Sequence, residues 1–127
     1  MTLTKEAILT ADDLKRECVK VPEWGGDVWI AVLPGTEREK FEARIAEASG
    51  KMGITGVLAY LLIAAIRDDD GQPLFTEADI PQLAGKSGAV LMRLTEKAMK
   101  INGLLPADVE ELAKNSPSGP GAASTSD

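Results

Sequence analysis

The run Asp68-Asp69-Asp70-Gly71 is the part of the chain whose residue types most invite chemistry. With Gly71 as the sixth position of a calcium loop, Asp68, Asp70 and Glu77 fall on positions three, five and twelve, carboxylates spaced to wrap one cation. The first position is then Ile66, which offers no ligand atom, and the eighth is Pro73. A solvated acidic turn explains the same residues more simply, because Asp and Gly are turn formers. Asp12-Asp13 and Glu110-Glu111 are sequence neighbours, which point in different directions on a helix and form no acid/base pair. Cys18 is the single cysteine, and the chain has no His to activate it. Gly50, Gly53 and Gly56 are followed by no Lys-Ser/Thr pattern, so they form no phosphate loop. These residues make no catalytic, cofactor or metal site, and the chain reads as non-enzymatic. What remains is contact chemistry. Trp24 and Trp29, in VPEWGGDVWI, are two of five aromatic residues, and Trp is enriched at protein interfaces; packing of both on the protein's own helices is the alternative. Met92 and Met99 lie seven residues apart and suit either a pliable binding strip or gap filling in the core. Trp24, Trp29, Met92 and Met99 are therefore the candidate partner-binding residues.

The elements that must position these side chains belong to one domain. The chain has 127 residues, 44% of them hydrophobic, enough for one core and not two. Its 14 Lys+Arg against 20 Asp+Glu leave a formal charge of −6, which argues against nucleic acid and anionic membranes as partners. A single cysteine cannot close an internal disulfide, which suits a cytoplasmic protein. The start, MTLTKEAILT, lacks the basic and apolar regions of a secretion signal. The most apolar stretch, Val57 to Ile66, is ten residues, short of the roughly 20 that span a bilayer.

Along the chain, Thr4 and Thr10 are N-cap candidates for one or two helical turns ending near Arg16. From Glu17 the pattern predicts a β-hairpin, with Gly25-Gly26 at the turn and a second strand from Asp27 to Leu33. That strand is apolar on both faces, so both need cover. Thr36 and Glu39 match a capping box that opens a helix with Phe41, Ile45 and Ala48 on its buried stripe. The Val57–Ile66 helix is apolar nearly all round and should be central. After the acidic turn, Thr76 caps a short helix that sends Ile80 and Leu83 to the core and stops at Gly85. Ser87 caps a longer one, with Val90, Leu91, Leu94, Ala98 and Ile101 on one stripe and its end at Asn102-Gly103. Pro106 opens the last helix, carrying Val109 and Leu112. The fold class is α+β: a predominantly helical single domain over residues 1–115 with an N-terminal β-hairpin. Residues 116–127 have nothing apolar larger than Ala and should form a disordered tail.

Three ordered motifs carry a resemblance: VPEWGG at Val21, the D-G-x-x-L-F-T-x-x-D turn from Asp70 to Asp79, and the L-x-x-x-A-x-x-I-N-G helix end followed by VEELAKN. With the order of elements around them, from about Leu9 to Asn115, they resemble the tail assembly chaperones of long-tailed, siphovirus-type bacteriophages. The resemblance implies a protein of the host cell cytoplasm that binds the tape measure protein, keeps it soluble, helps recruit the major tail tube protein, and is absent from the mature virion. Self-association is left open by it. It also implies two forms, the longer made by ribosomal frameshifting near the end of the short reading frame. A small structural virion protein, such as a head–tail connector or tail tube component, is the rival of similar size and content. A host-directed regulator is a further rival, but would carry a basic face or a more apolar partner-folding segment.

Overall fold

The computed structural model describes residues 1–48 and 50–115, and the expected tail at 116–127 lies outside them. A short helix, α1 (Lys5–Thr10), precedes the antiparallel strands β1 (Arg16–Val21) and β2 (Gly26–Ala31). Helices α2 (Gly35–Glu47) and α3 (Gly53–Ala65) follow, then strand β3 (Ile66–Arg67) and helices α4 (Ile80–Ala84), α5 (Gly88–Ile101) and α6 (Pro106–Asn115). The sheet order is β1-β2-β3, all antiparallel.

Local chemistry explains most boundaries. The Thr4 hydroxyl accepts from the Ala7 amide and opens α1. Thr10 does not cap a second helix: its hydroxyl donates back to the Glu6 carbonyl, inside the same turn. Between β1 and β2, Pro22–Trp24 form one 3-10 turn, and Gly25 closes it at φ +79°, which a side chain would disfavour. The register pairs Val21 with Gly26 and Cys18 with Trp29.

Two further sequence expectations are corrected. The capping box at Thr36 is absent; α2 begins at Gly35 with Pro34 before it and no side-chain cap. The central helix begins at Gly53 rather than Val57, and Ile66 leaves it to pair with Ile30 in the sheet. Thr76 and Ser87 cap as expected: Thr76 shares a reciprocal capping box with Asp79, and the Ser87 hydroxyl accepts from the Val90 amide.

Helix α3 packs against α2, α4, α5 and α6, as its apolar circumference requires. Val57, Leu61, Leu62, Ile63 and Ala65 are buried on it, against Phe41 and Ile45 of α2 and Val90, Leu94 and Ala98 of α5. Val21 and Ile30 bring the sheet onto the same core, and Val109 with Ala113 closes it from α6. None of the described helices is long and apolar enough to cross a membrane.

A polar residue joins the sheet to the helices. Asn102 follows α5 and is buried. Its Oδ1 accepts from the Leu33 amide at 2.8 Å, and its Nδ2 donates to the carbonyls of Ala98 at 2.9 Å and Ala31 at 3.2 Å. The Asn102 carbonyl accepts from Arg38 of α2 at 2.8 Å. Arg67, just after α3, does a similar task, pairing with the neighbouring Glu37 of α2 and donating to the Ala64 carbonyl.

Candidate functional site

Helix α3 is apolar nearly all round, yet the helices beside it do not cover every face. Between α3, α4 and α5 they leave an open groove of about 250 Å³. Leu58 and Leu62 of α3 face it, Leu83 enters from α4, and Leu91 and Met92 from α5. The capping box at Thr76 places α4 there, so a polar device in a loop sets one apolar wall. Thr95 also lines the groove, but its hydroxyl donates to the Leu91 carbonyl at 2.6 Å and asks nothing of a ligand. Met92 is half-exposed. The exposed Lys86 stands at the edge and pairs with no described carboxylate. With no carboxylate among its lining residues, the groove offers contact area and shape rather than acid, base or metal chemistry.

Of the four residues selected from sequence, Met92 alone lines this groove. Trp24 and Met99 are partly buried and pack against the core. Trp29 is held on the sheet: its indole N–H donates to Asp69 at 2.9 Å, and the Arg16 guanidinium lies 4.0 Å from the ring centre. Arg16 also donates to the Asp68 and Asp69 carbonyls. The strand that is apolar on both faces thus has Ile30 on the helices and Trp29 beneath Arg16 and the acidic turn.

That turn is organised by its own backbone. The Asp68 carboxylate accepts from the amides of Asp70 at 2.8 Å and Gln72 at 2.9 Å, and Gly71 adopts φ +84°. Among the described residues no three His, Cys, Asp or Glu side chains gather where a metal would sit. Around Cys18, partial desolvation and then the Asp27 carboxylate push the thiol up from its ordinary value, away from the reactive thiolate. Asp12, Asp13, Glu110 and Glu111 are exposed.

A second cleft of about 250 Å³ lies between α2, α3 and the turn, lined by Phe41, Tyr60, Phe75 and Arg67. Its polar groups largely serve each other. Glu77 accepts from Arg44 and from the Tyr60 hydroxyl at 3.2 Å, and its carboxyl is held below the ordinary value chiefly by Arg44. Neither cleft was legible in sequence, since each is the space that several elements fail to fill.

The described residues thus form a three-stranded sheet laid on a helical core, with an open apolar groove between α3, α4 and α5. The chain belongs to the phage tail assembly chaperone family, whose sequence profile matches residues 3–115. Its fold is similar to the solved structure of the bacteriophage HK97 tail assembly chaperone: 22% sequence identity, a TM-score of 0.53, and coverage of 76% of this chain and 94% of that one. No curated protein matches the sequence.

Proposed function

We propose that the protein is a non-enzymatic chaperone of tail assembly that binds the phage tape measure protein in the host cytoplasm. It keeps that protein soluble, helps recruit major tail tube subunits, and leaves before the tail is finished. Membership of the tail assembly chaperone family over residues 3–115 is the observation that carries this reading. The groove supports it physically. A long helical protein awaiting assembly exposes apolar stripes that aggregate, and a groove lined by Leu58, Leu83, Leu91 and Met92 suits the apolar face of one such helix. A thioether in the wall adapts to varied side chains. The charge of −6 keeps the loaded complex soluble.

The rival reading, a small structural virion protein, separates from this one by location. Mass spectrometry of purified particles and of the infected-cell lysate should find the chain in the lysate and not in the particles. Retention in particles at a fixed ratio to tube subunits would overturn the chaperone reading. A longer form made by frameshifting near Asn115 belongs to the same proposal, because an extension there leaves the folded residues intact. Intact masses from the native gene with its downstream sequence should include a larger species sharing the first 115 or so residues, and a single product ending at Asp127 would contradict it.

A further inference from the structure

We propose that the cleft between α2, α3 and the turn is a second binding site, which takes the C-terminal residue of a partner protein. The apolar or aromatic side chain of that residue enters the cleft, and its terminal carboxylate meets Arg67 and Lys40. This site is separate from the groove between α3, α4 and α5 and does not depend on what that groove holds.

Arg67 lines the cleft and is only 9% exposed. Its guanidinium has donors and no acceptor, and it is always charged. Nη2 donates to Glu37 and to the Ala64 carbonyl, while Nη1 reaches the Gly71 carbonyl at 3.5 Å, the outer limit of a hydrogen bond. Nε donates to nothing. Among the described residues it is the one buried side-chain nitrogen or oxygen left without a partner. Buried polar groups have their hydrogen bonds filled as a rule, so an orphaned donor on a buried cation asks for an oxygen from outside the chain. Lys40, exposed at the edge of the cleft, pairs with no described carboxylate. The two acids of the lining are already engaged, Glu37 by Arg67 and Glu77 by Arg44. The charge left over at the cleft is therefore positive and selects an anion. Solvent does not reach Nε, and the ligand meets it as Phe75 moves aside; Phe75 is partly exposed and lies in no helix or strand.

The walls ask for an apolar group beside that anion. Phe41, Tyr60 and Phe75, three of the chain's five aromatic residues, line the cleft, and the Phe41 and Tyr60 ring centres lie 6.1 Å apart. Tyr60 is held by its hydroxyl bond to Glu77 and by the Arg44 guanidinium 6.0 Å from its ring centre, so this wall is ordered before a ligand arrives. At about 250 Å³ the cleft is smaller than the roughly 300–1,000 Å³ of sites for small organic ligands, and it suits a single side chain. The apolar group and the carboxylate must then come from one residue. Inside a chain they would belong to neighbouring side chains, which point apart in a helix or a strand. A C-terminal residue carries both on one Cα, and capture of a chain end through its carboxylate is a recurring mode of peptide recognition.

Peptide titration of the full chain, followed by NMR of the Arg67 Nε–H, tests this. The probes are acetyl-Gly-Gly-Phe with a free carboxylate, the same peptide as its C-terminal amide, and acetyl-Gly-Asp-Phe-amide, whose charge sits on a neighbouring side chain. The free acid should shift the Arg67 signal to saturation, and both amides should bind about tenfold or more weakly, as loss of a hydrogen bond to a charged group implies. Arg67 also ties α3 to α2, so the variant of choice is Lys40→Glu at an exposed position. It should weaken binding of the free acid about tenfold while the melting temperature stays unchanged. Met92→Glu, in the other groove, should leave peptide binding as it was. No tape measure protein enters this assay, so failure of the site and failure of the chaperone reading are told apart. Equal binding of acid and amide, a preference for the side-chain acid, binding indifferent to Lys40→Glu, or no binding of the free acid would each overturn the proposal.

Discussion

Replacing Asn102 with Ala removes three hydrogen bonds that tie the end of α5 to the sheet, and the cost follows from what each partner loses. The Leu33 amide has no other acceptor among the described residues, and Leu33 is buried, so it becomes an unsatisfied donor, costing about 1–3 kcal/mol. The Ala98 carbonyl still accepts from the Asn102 amide, and it and the Ala31 carbonyl lose a neutral hydrogen bond worth about 0.5–1.5 kcal/mol each. The whole substitution should therefore cost roughly 2–6 kcal/mol. Asn102→Asp should cost at least as much near neutral pH, because it keeps an acceptor for Leu33 but points a second oxygen at two carbonyls. Its carboxyl would have a raised folded-state value, so the variant should recover stability as pH falls and lose it as pH rises. Equilibrium urea unfolding reads both effects as a lower midpoint at unchanged slope. A loss below about 1 kcal/mol for Asn102→Ala would refute the reasoning, since it would mean that water replaces the amide at no cost.

Leu61→Ala should cost roughly 2–5 kcal/mol in the same assay, because Leu61 is fully buried on the central helix; a near-neutral value would place that face of α3 outside the core. Glu23 bonds Arg93 through both oxygens and is held down to about 2, so its contribution to stability is present above the ordinary carboxylate value and is lost as pH falls from there toward 2. An NMR titration of its carboxyl should show the low midpoint, and Arg93→Met should return it toward 4.5; an ordinary midpoint in the unsubstituted protein would remove the pair from the account. Calcium or EDTA should leave the melting temperature unchanged, because the Asp68 carboxylate is already occupied by two amides; a rise of several degrees with calcium would restore the metal reading.

Where a residue acts on its near neighbours in the chain, the sequence could be read. Thr4, Thr76 and Ser87 cap helices because a hydroxyl placed before an apolar stripe meets the free amides of the first turn. The apolar circumference of Val57 to Ile66 marked the central helix for the same reason, although Ile66 itself leaves it for the sheet. What was not legible depends on residues far apart in sequence. Asn102 looked like a helix terminator, and its bonds to Ala31 and Leu33 cross about 70 positions. The Thr36 capping box matched in pattern, but Pro34 and Gly35 start the helix two residues earlier. Trp29 was a candidate contact on type alone, whereas Arg16 and Asp69 show what holds it. The groove itself is a shortfall of packing among three helices, and of its lining only Met92 carried a signal in sequence.

The most direct test of the chaperone reading is to express the tape measure protein in cells with and without this chain, and to measure how much of it stays soluble. Alone, the tape measure protein should collect in the insoluble fraction. With this chain it should become soluble and co-purify as a complex, and Met92→Glu, which places a charge in the groove's wall without touching the buried core, should abolish both effects. Equal solubility with and without the chain, or a complex indifferent to Met92→Glu and to a second groove change at Leu91, would contradict the account.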